Sequence, residues 1–101
     1  MNFEAITYEV NEGIATIAVN RPDVLNALNR RVLAEMLVAI GQVSADDDVK
    51  CVILTGVGKA FVAGADIAEM SNYSNREALA FGDLGQSVLI GLETLDRKSV
   101  V

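Results

Sequence analysis

An α/β fold is predicted from three changes of pattern along the 101 residues. Apolar and polar positions alternate in the first third, a helical spacing takes over from Asn29, and a short continuous apolar run follows at 49–55. Strand, helix, strand, loop and helix in that order imply a right-handed βαβ crossover.

The alternation runs through Thr7-Tyr8-Glu9-Val10 and resumes in Ala15-Thr16-Ile17-Ala18-Val19, with Asn11-Glu12-Gly13 as the turn of an antiparallel hairpin. Pro22 ends it, because proline cannot donate to a ladder and it pushes Arg21 out of the helical region. Val32, Leu33, Met36, Leu37, Ile40 and Val43 then fall on one helix face behind Asn29, a suitable N-cap. Asp46-Asp47-Asp48 lacks the glycine and distal glutamate of a calcium loop and is expected to be a solvated turn; no metal site is expected. The run Val49–Thr55 reads as a buried strand, and the lone Cys51 as one of its buried residues. Ser74-Asn75-Arg76-Glu77 has the form of a capping box, and Ala78, Phe81, Leu84 or Gly85, Val88, Leu89, Leu92 and Leu95 continue the helix that it opens.

Composition narrows the function. With 8 Lys and Arg against 14 Asp and Glu, the formal charge is −6, and no basic stripe is present to displace counterions from nucleic acid. No apolar run approaches the roughly 20 residues of a bilayer span, and there is no basic segment with an apolar stretch after it at the start. A soluble, cytoplasmic protein without nucleic-acid or membrane partners is expected. At 51% hydrophobic and with one proline, the chain can support a core.

The segment after Thr55 carries three of the 8 glycines within nine residues, at the carboxyl end of a predicted strand, where α/β folds gather ligands. Phe61 and Ala60 stand where a dinucleotide fingerprint and a Walker loop require Gly and Ser or Thr. In Phe61-Val62-Ala63-Gly64-Ala65-Asp66-Ile67, small residues permit close backbone approach. If a helix starts after Gly64, the N–H of Ala65 or Asp66 points outward without an intrahelical acceptor. Such a donor suits a developing oxyanion. The other reading is an ordinary connection in which Asp66 caps the next turn.

Asn20-Arg21-Pro22 with Leu25-Asn26-Ala27-Leu28-Asn29, then Val52-Ile53-Leu54-Thr55-Gly56, then Lys59-Ala60-Phe61-Val62-Ala63-Gly64-Ala65-Asp66-Ile67-Ala68-Glu69-Met70, together resemble the crotonase superfamily of enoyl-CoA hydratases and isomerases. Short-chain enoyl-CoA hydratases and 3-hydroxybutyryl-CoA dehydratases are similar members. The resemblance covers essentially the whole chain. It implies that residues 1–101 are the N-terminal part of a crotonase-like spiral of ββα units, with the C-terminal part absent.

It also implies roles. Ala65 matches a backbone N–H donor of the oxyanion hole; Ala63, Asp66 and Ile67 match the loop around the adenine of coenzyme A; Val24 and Leu25 match contacts to the CoA chain. Asp23 and Ala68 stand where some hydratases carry basic residues for the CoA phosphates, leaving Arg21 or Lys59 as weak substitutes. The implied reaction is addition of water to a 2-enoyl-CoA, or movement of its double bond, through an enolate-like thioester. Coenzyme A is part of the substrate, and no separate cofactor is implied. In the hydratases a pair of Glu side chains moves the proton and the water. Those residues and the second oxyanion donor belong to later motifs, and Glu69 reads as a solvated helix residue. The 101 residues alone are therefore expected to be inactive. Two alternatives remain: a non-catalytic CoA-binding module, and a self-associating module that pairs through an open strand edge near Val100. A homo-oligomer is expected in either catalytic or structural use.

Overall fold

The computed structural model describes residues 3–58, 61, 62, 64, 66–95, 99 and 100. Strands β1 (Ile6–Asn11) and β2 (Ile14–Val19) form the hairpin in antiparallel register, Tyr8 opposite Ile17. Its two-residue turn takes positive φ at both Glu12 and Gly13, the handedness that matches strand twist. Gly13 is required there twice over, because a Cβ would lie 3.3 Å from the Asp48 carbonyl oxygen. After a single 3-10 turn at Pro22–Val24 comes α1 (Arg30–Ala45), capped as expected by the Asn29 side chain, which accepts from the Val32 N–H at 2.9 Å. Strand β3 (Cys51–Gly56) pairs in parallel with β2, Val19 opposite Gly56. One short turn, α2 (Ile67–Met70), precedes α3 (Asn75–Glu93), which opens with the complete Ser74–Glu77 capping box. Backbone pairing of β4 (Ser99–Val100) with Cys51 and Val52 completes the order β1-β2-β3-β4. The stretch at Val100 thus pairs with β3 on one side and is the last strand of the sheet on the other.

Ala15, Ile17 and Val19 of β2 and Val52 of β3 lie in the same buried core as Val32, Met36, Ala39, Ile40 and Val43 of α1. α3 packs on the other side of α1 through Val88, with half-buried Phe81, Leu84 and Leu92 around it. The apolar periodicity overreached at three positions. Leu37, Leu89 and Ala78 are exposed, because neither α1 nor α3 has neighbours all round, and a periodic stripe can be wider than the face it buries. Cys51 is half-buried rather than buried. The Asp46 carboxylate accepts from the Asp48 N–H at 3.0 Å and so shapes the turn before β3.

The start of β1 is fixed by a contact that periodicity does not announce. Glu35 of α1 accepts from the N–H groups of Glu4, Ala5 and Ile6 at 3.0, 2.8 and 3.2 Å, and from Arg31 Nε at 2.8 Å. Burial pushes this carboxyl up, but Arg31 and the backbone donors outweigh it and hold it below the usual range. Among the described residues no helix is long and apolar enough to cross a membrane.

Gly41 lies exposed inside α1, and a Cβ there meets nothing within 4 Å. Gly41→Ala is expected to raise stability by about 0.8–1.0 kcal/mol in urea unfolding. Gly91→Ala, whose Cβ would crowd Ile40 Cγ2 at 3.2 Å, is expected to gain less than that. Equal gains at both sites would show that packing around Gly91 does not matter.

Candidate active-site loop

Parallel pairing of β2 and β3 puts their carboxyl ends side by side, and the Val57 N–H continues the pairing by donating to the Val19 carbonyl at 2.8 Å. The segments that leave these ends therefore start side by side at the carboxyl end of the two central strands. Two consecutive residues of the first segment, Leu25 and Asn26, have left-handed φ of 53° and 59°. Asn26 tolerates this because a short polar side chain can bond locally. Its side chain is completely buried: Oδ1 accepts from the Arg21 N–H at 2.7 Å, and Nδ2 donates to the Val57 carbonyl at 2.9 Å. One carboxamide thus joins the two segments.

Further along, the Leu28 N–H donates to the Gly64 carbonyl at 2.6 Å and the Leu28 carbonyl accepts from the Asp66 N–H at 2.7 Å. These bonds grip the glycine-rich loop on both sides of position 65. Gly64 has φ 140° with open space around it, so its requirement is conformational rather than steric. Asp66 does cap the following turn, Oδ1 accepting from the Glu69 N–H at 3.1 Å, while Oδ2 takes the Arg21 Nη2 at 2.9 Å. Those two contacts, the Glu69 N–H first, hold its carboxyl below the ordinary value.

Several sequence expectations are corrected here. The Asp66 N–H is not free, because the Leu28 strip runs alongside and supplies an acceptor. Arg21 is not a spare phosphate ligand: Nη1 donates to the Ala27 carbonyl at 2.6 Å and Nη2 is held by Asp66. Glu69 is half-buried instead of solvated, and its Oε2 accepts from the Arg30 N–H at 3.3 Å. Ala63, Ala65 and Lys59 lie outside the described residues. Ile67 begins α2. Val24 and Leu25 lie on the exposed outside of the turn, Leu25 with 52% of its surface open.

Beside the loop, a largely apolar groove of about 560 Å³ runs between Leu28, Leu54, Phe61 and Val62 on one side and Phe81, Gly85 and Leu89 on the other. It explains why Phe61 and Leu89 remain exposed. The buried Asn26 and the Arg21–Asp66 pair were missed by sequence reasoning. Their only signal was an asparagine and an arginine inside a short motif that otherwise looks like a loop.

An α/β sheet with a glycine-rich loop at the end of a parallel strand, gripped by a strip from the preceding crossover, defines the class. Residues 9–97 match the enoyl-CoA hydratase/isomerase family, and the chain belongs to it. It is 45% identical over 98 residues to a crotonyl-CoA hydratase of Syntrophomonas wolfei subsp. wolfei, and 44% identical over 98 residues to a short-chain-enoyl-CoA hydratase of Clostridium acetobutylicum. Each match takes in 96% of this chain and 38% of the relative. The crystal structure of an enoyl-CoA hydratase/carnithine racemase from Magnetospirillum magneticum superposes with a TM-score of 0.90 at 32% identity, over 98% of this chain and 38% of that one. The chain thus spans about 38% of the length of the curated relatives it matches.

Asn26→Ala is expected to cost about 2–4 kcal/mol, since it removes two hydrogen bonds to partly buried backbone groups and leaves alanine in a left-handed conformation. Asn26→Gly should recover only the backbone share, about 1 kcal/mol. Chemical denaturation of both variants checks this, and a loss below the range for Asn26→Ala would mean that water replaces the carboxamide.

Acid should weaken the same region. The Asp66 carboxyl is lowered in the folded chain, so its stabilisation is complete above the ordinary value of 3.8 and is lost as pH falls through the depressed value. The stability gap between wild type and Asp66→Asn should therefore be constant from pH 7 to 5 and close below 3.8. Urea midpoints measured across that range decide it; a gap independent of pH contradicts the assignment.

Proposed function

We propose that the protein hydrates short-chain 2-enoyl-CoA thioesters, with coenzyme A as part of the substrate and no separate cofactor. The observation that carries this reading is the family match across residues 9–97 together with the grip of Leu28 on both sides of position 65. In this reading the Ala65 N–H donates to the thioester oxygen and stabilises the charge that builds there as the enolate forms. Ala63, Asp66 and Ile67 surround the adenine, and exposed Val24 and Leu25 lie along the CoA chain. Asp66 contributes by position, because both its carboxylate oxygens and its backbone N–H are engaged within the fold. The apolar groove beside Phe61 and Val62 has the lining that a hydrocarbon acyl group requires. In this reading the second oxyanion donor and the carboxylates that move the proton and the water belong to family motifs that these residues do not match. A cytoplasmic homo-oligomer completes the proposal. Leu79 and Ile90, exposed on α3, support association.

Proline at position 65 would remove the proposed donor, and it would also fix φ there and restrict Gly64, which has φ 140°. In the full-length protein, Ala65→Pro is expected to lower kcat for crotonyl-CoA hydration by about 10²–10³-fold, while Ala65→Gly, which keeps the N–H, should retain most of the activity. The fall in enoyl thioester absorbance measures both. Proline with wild-type turnover would remove Ala65 from the mechanism, and a wild-type protein with no turnover would overturn the hydratase reading.

A further inference from the structure

A donor that stabilises an oxyanion must be in place before the charge appears, so something must fix the distance between the loop and the rest of the site. Two backbone bonds to Leu28 do part of this, but the strip that carries Leu28 is itself irregular, with Leu25 and Asn26 in left-handed conformation. Arg21 closes the frame. Its Nη1 donates to the carbonyl of Ala27, immediately before Leu28, at 2.6 Å, and its Nη2 donates to Asp66, immediately after position 65, at 2.9 Å. A planar guanidinium presents these donors in one fixed fork, so a single side chain spans the strip and the loop. The two side chains are only 21% and 16% exposed, which shields the pair from the screening that weakens surface ion pairs. The same carboxylate also orients the start of α2 through the Glu69 N–H.

We infer that Arg21 is a positioning residue for the reaction, acting through Ala27 and Asp66 to hold the loop around position 65 rather than by touching the substrate. This rests on the proposed hydratase function. Lysine cannot replace it, because one ammonium on a flexible stem does not reproduce a two-armed fork.

The test uses the full-length protein with Arg21→Met, Arg21→Lys and Asp66→Asn, each assayed below its own melting temperature. Two readouts are taken: steady-state hydration of crotonyl-CoA, and the infrared carbonyl band of bound butyryl-CoA, a saturated thioester that cannot be hydrated. Both Arg21 variants are expected to lose about 10–100-fold in kcat with KM within about threefold of wild type, as befits a displaced donor. Their bound carbonyl band should move back toward its position in water, a change that mere loss of stability would not produce in the folded fraction. Arg21→Met combined with Asp66→Asn should lose no more than the worse single variant, because both break one fork. If Arg21→Met does not fold, Arg21→Lys is judged by the same criteria.

An unchanged kcat and band in either folded Arg21 variant overturns the inference. So does a raised KM with kcat and band intact, which would assign Arg21 to the CoA phosphates. A wild-type protein that does not hydrate crotonyl-CoA overturns the hydratase reading instead; normal wild-type turnover with indifferent variants overturns only the role of Arg21.

Discussion

A carboxamide shut away from water must satisfy its carbonyl and its amino group inside the protein, and Asn26 does so on the backbone at the ends of two different strands. Its oxygen holds the amide of Arg21, just beyond β2, and its nitrogen holds the carbonyl of Val57, just beyond β3. Apart from the single 3-10 turn at Pro22–Val24, neither segment has regular structure at this point to define its course. Asn26 is the link closest to the strand ends, and the bonds of Leu28 to Gly64 and Asp66 and the Arg21–Asp66 pair join the same two segments farther out.

The constraint then passes outward in short covalent steps. Asn26 fixes the backbone of Arg21; Arg21 places its guanidinium on Ala27 and Asp66; Leu28, one residue on, pairs with Gly64 and Asp66. Each link is a hydrogen bond between groups close in sequence to the previous link, so little chain entropy is left to undo it. A buried polar network of this kind is costly if half made and rigid if complete. Under the proposed function, such rigidity is what a preformed oxyanion site on a loop would need.

This network marks the limit of what the sequence disclosed. The hairpin, the Asn29 cap and the Ser74 capping box were legible because each follows from a local rule about spacing or orphan N–H groups. The place of the loop was legible from its glycines, and its family from the motif order. The bonds that hold the loop were not, because Arg21 and Asp66 are 45 residues apart and no periodicity couples them. Glu35 failed to stand out for the same reason: a carboxylate at a helix surface looks solvated until the start of β1 is seen to lay three N–H groups on it. Leu37 and Leu89 erred in the opposite direction, since a stripe says which residues could be buried and the neighbouring elements decide which are.

The charge takes on a different meaning in this light. A chain of net charge −6 is a poor general attractor for an anionic thioester, and three of the four described arginines are already paired with carboxylates. Arg21 is engaged with Asp66, Arg31 with Glu4 and Glu35, and Arg30 with Glu77. These three cations serve the fold, and several of the carboxylates are their partners. Recognition of a CoA ester at this loop would then fall to backbone N–H groups and apolar surface, whose worth depends on shape and on exclusion of water rather than on long-range attraction. Under the hydratase reading, that division of labour makes positioning the limiting requirement: a site that cannot draw its ligand in by field must hold its donors where the ligand will need them.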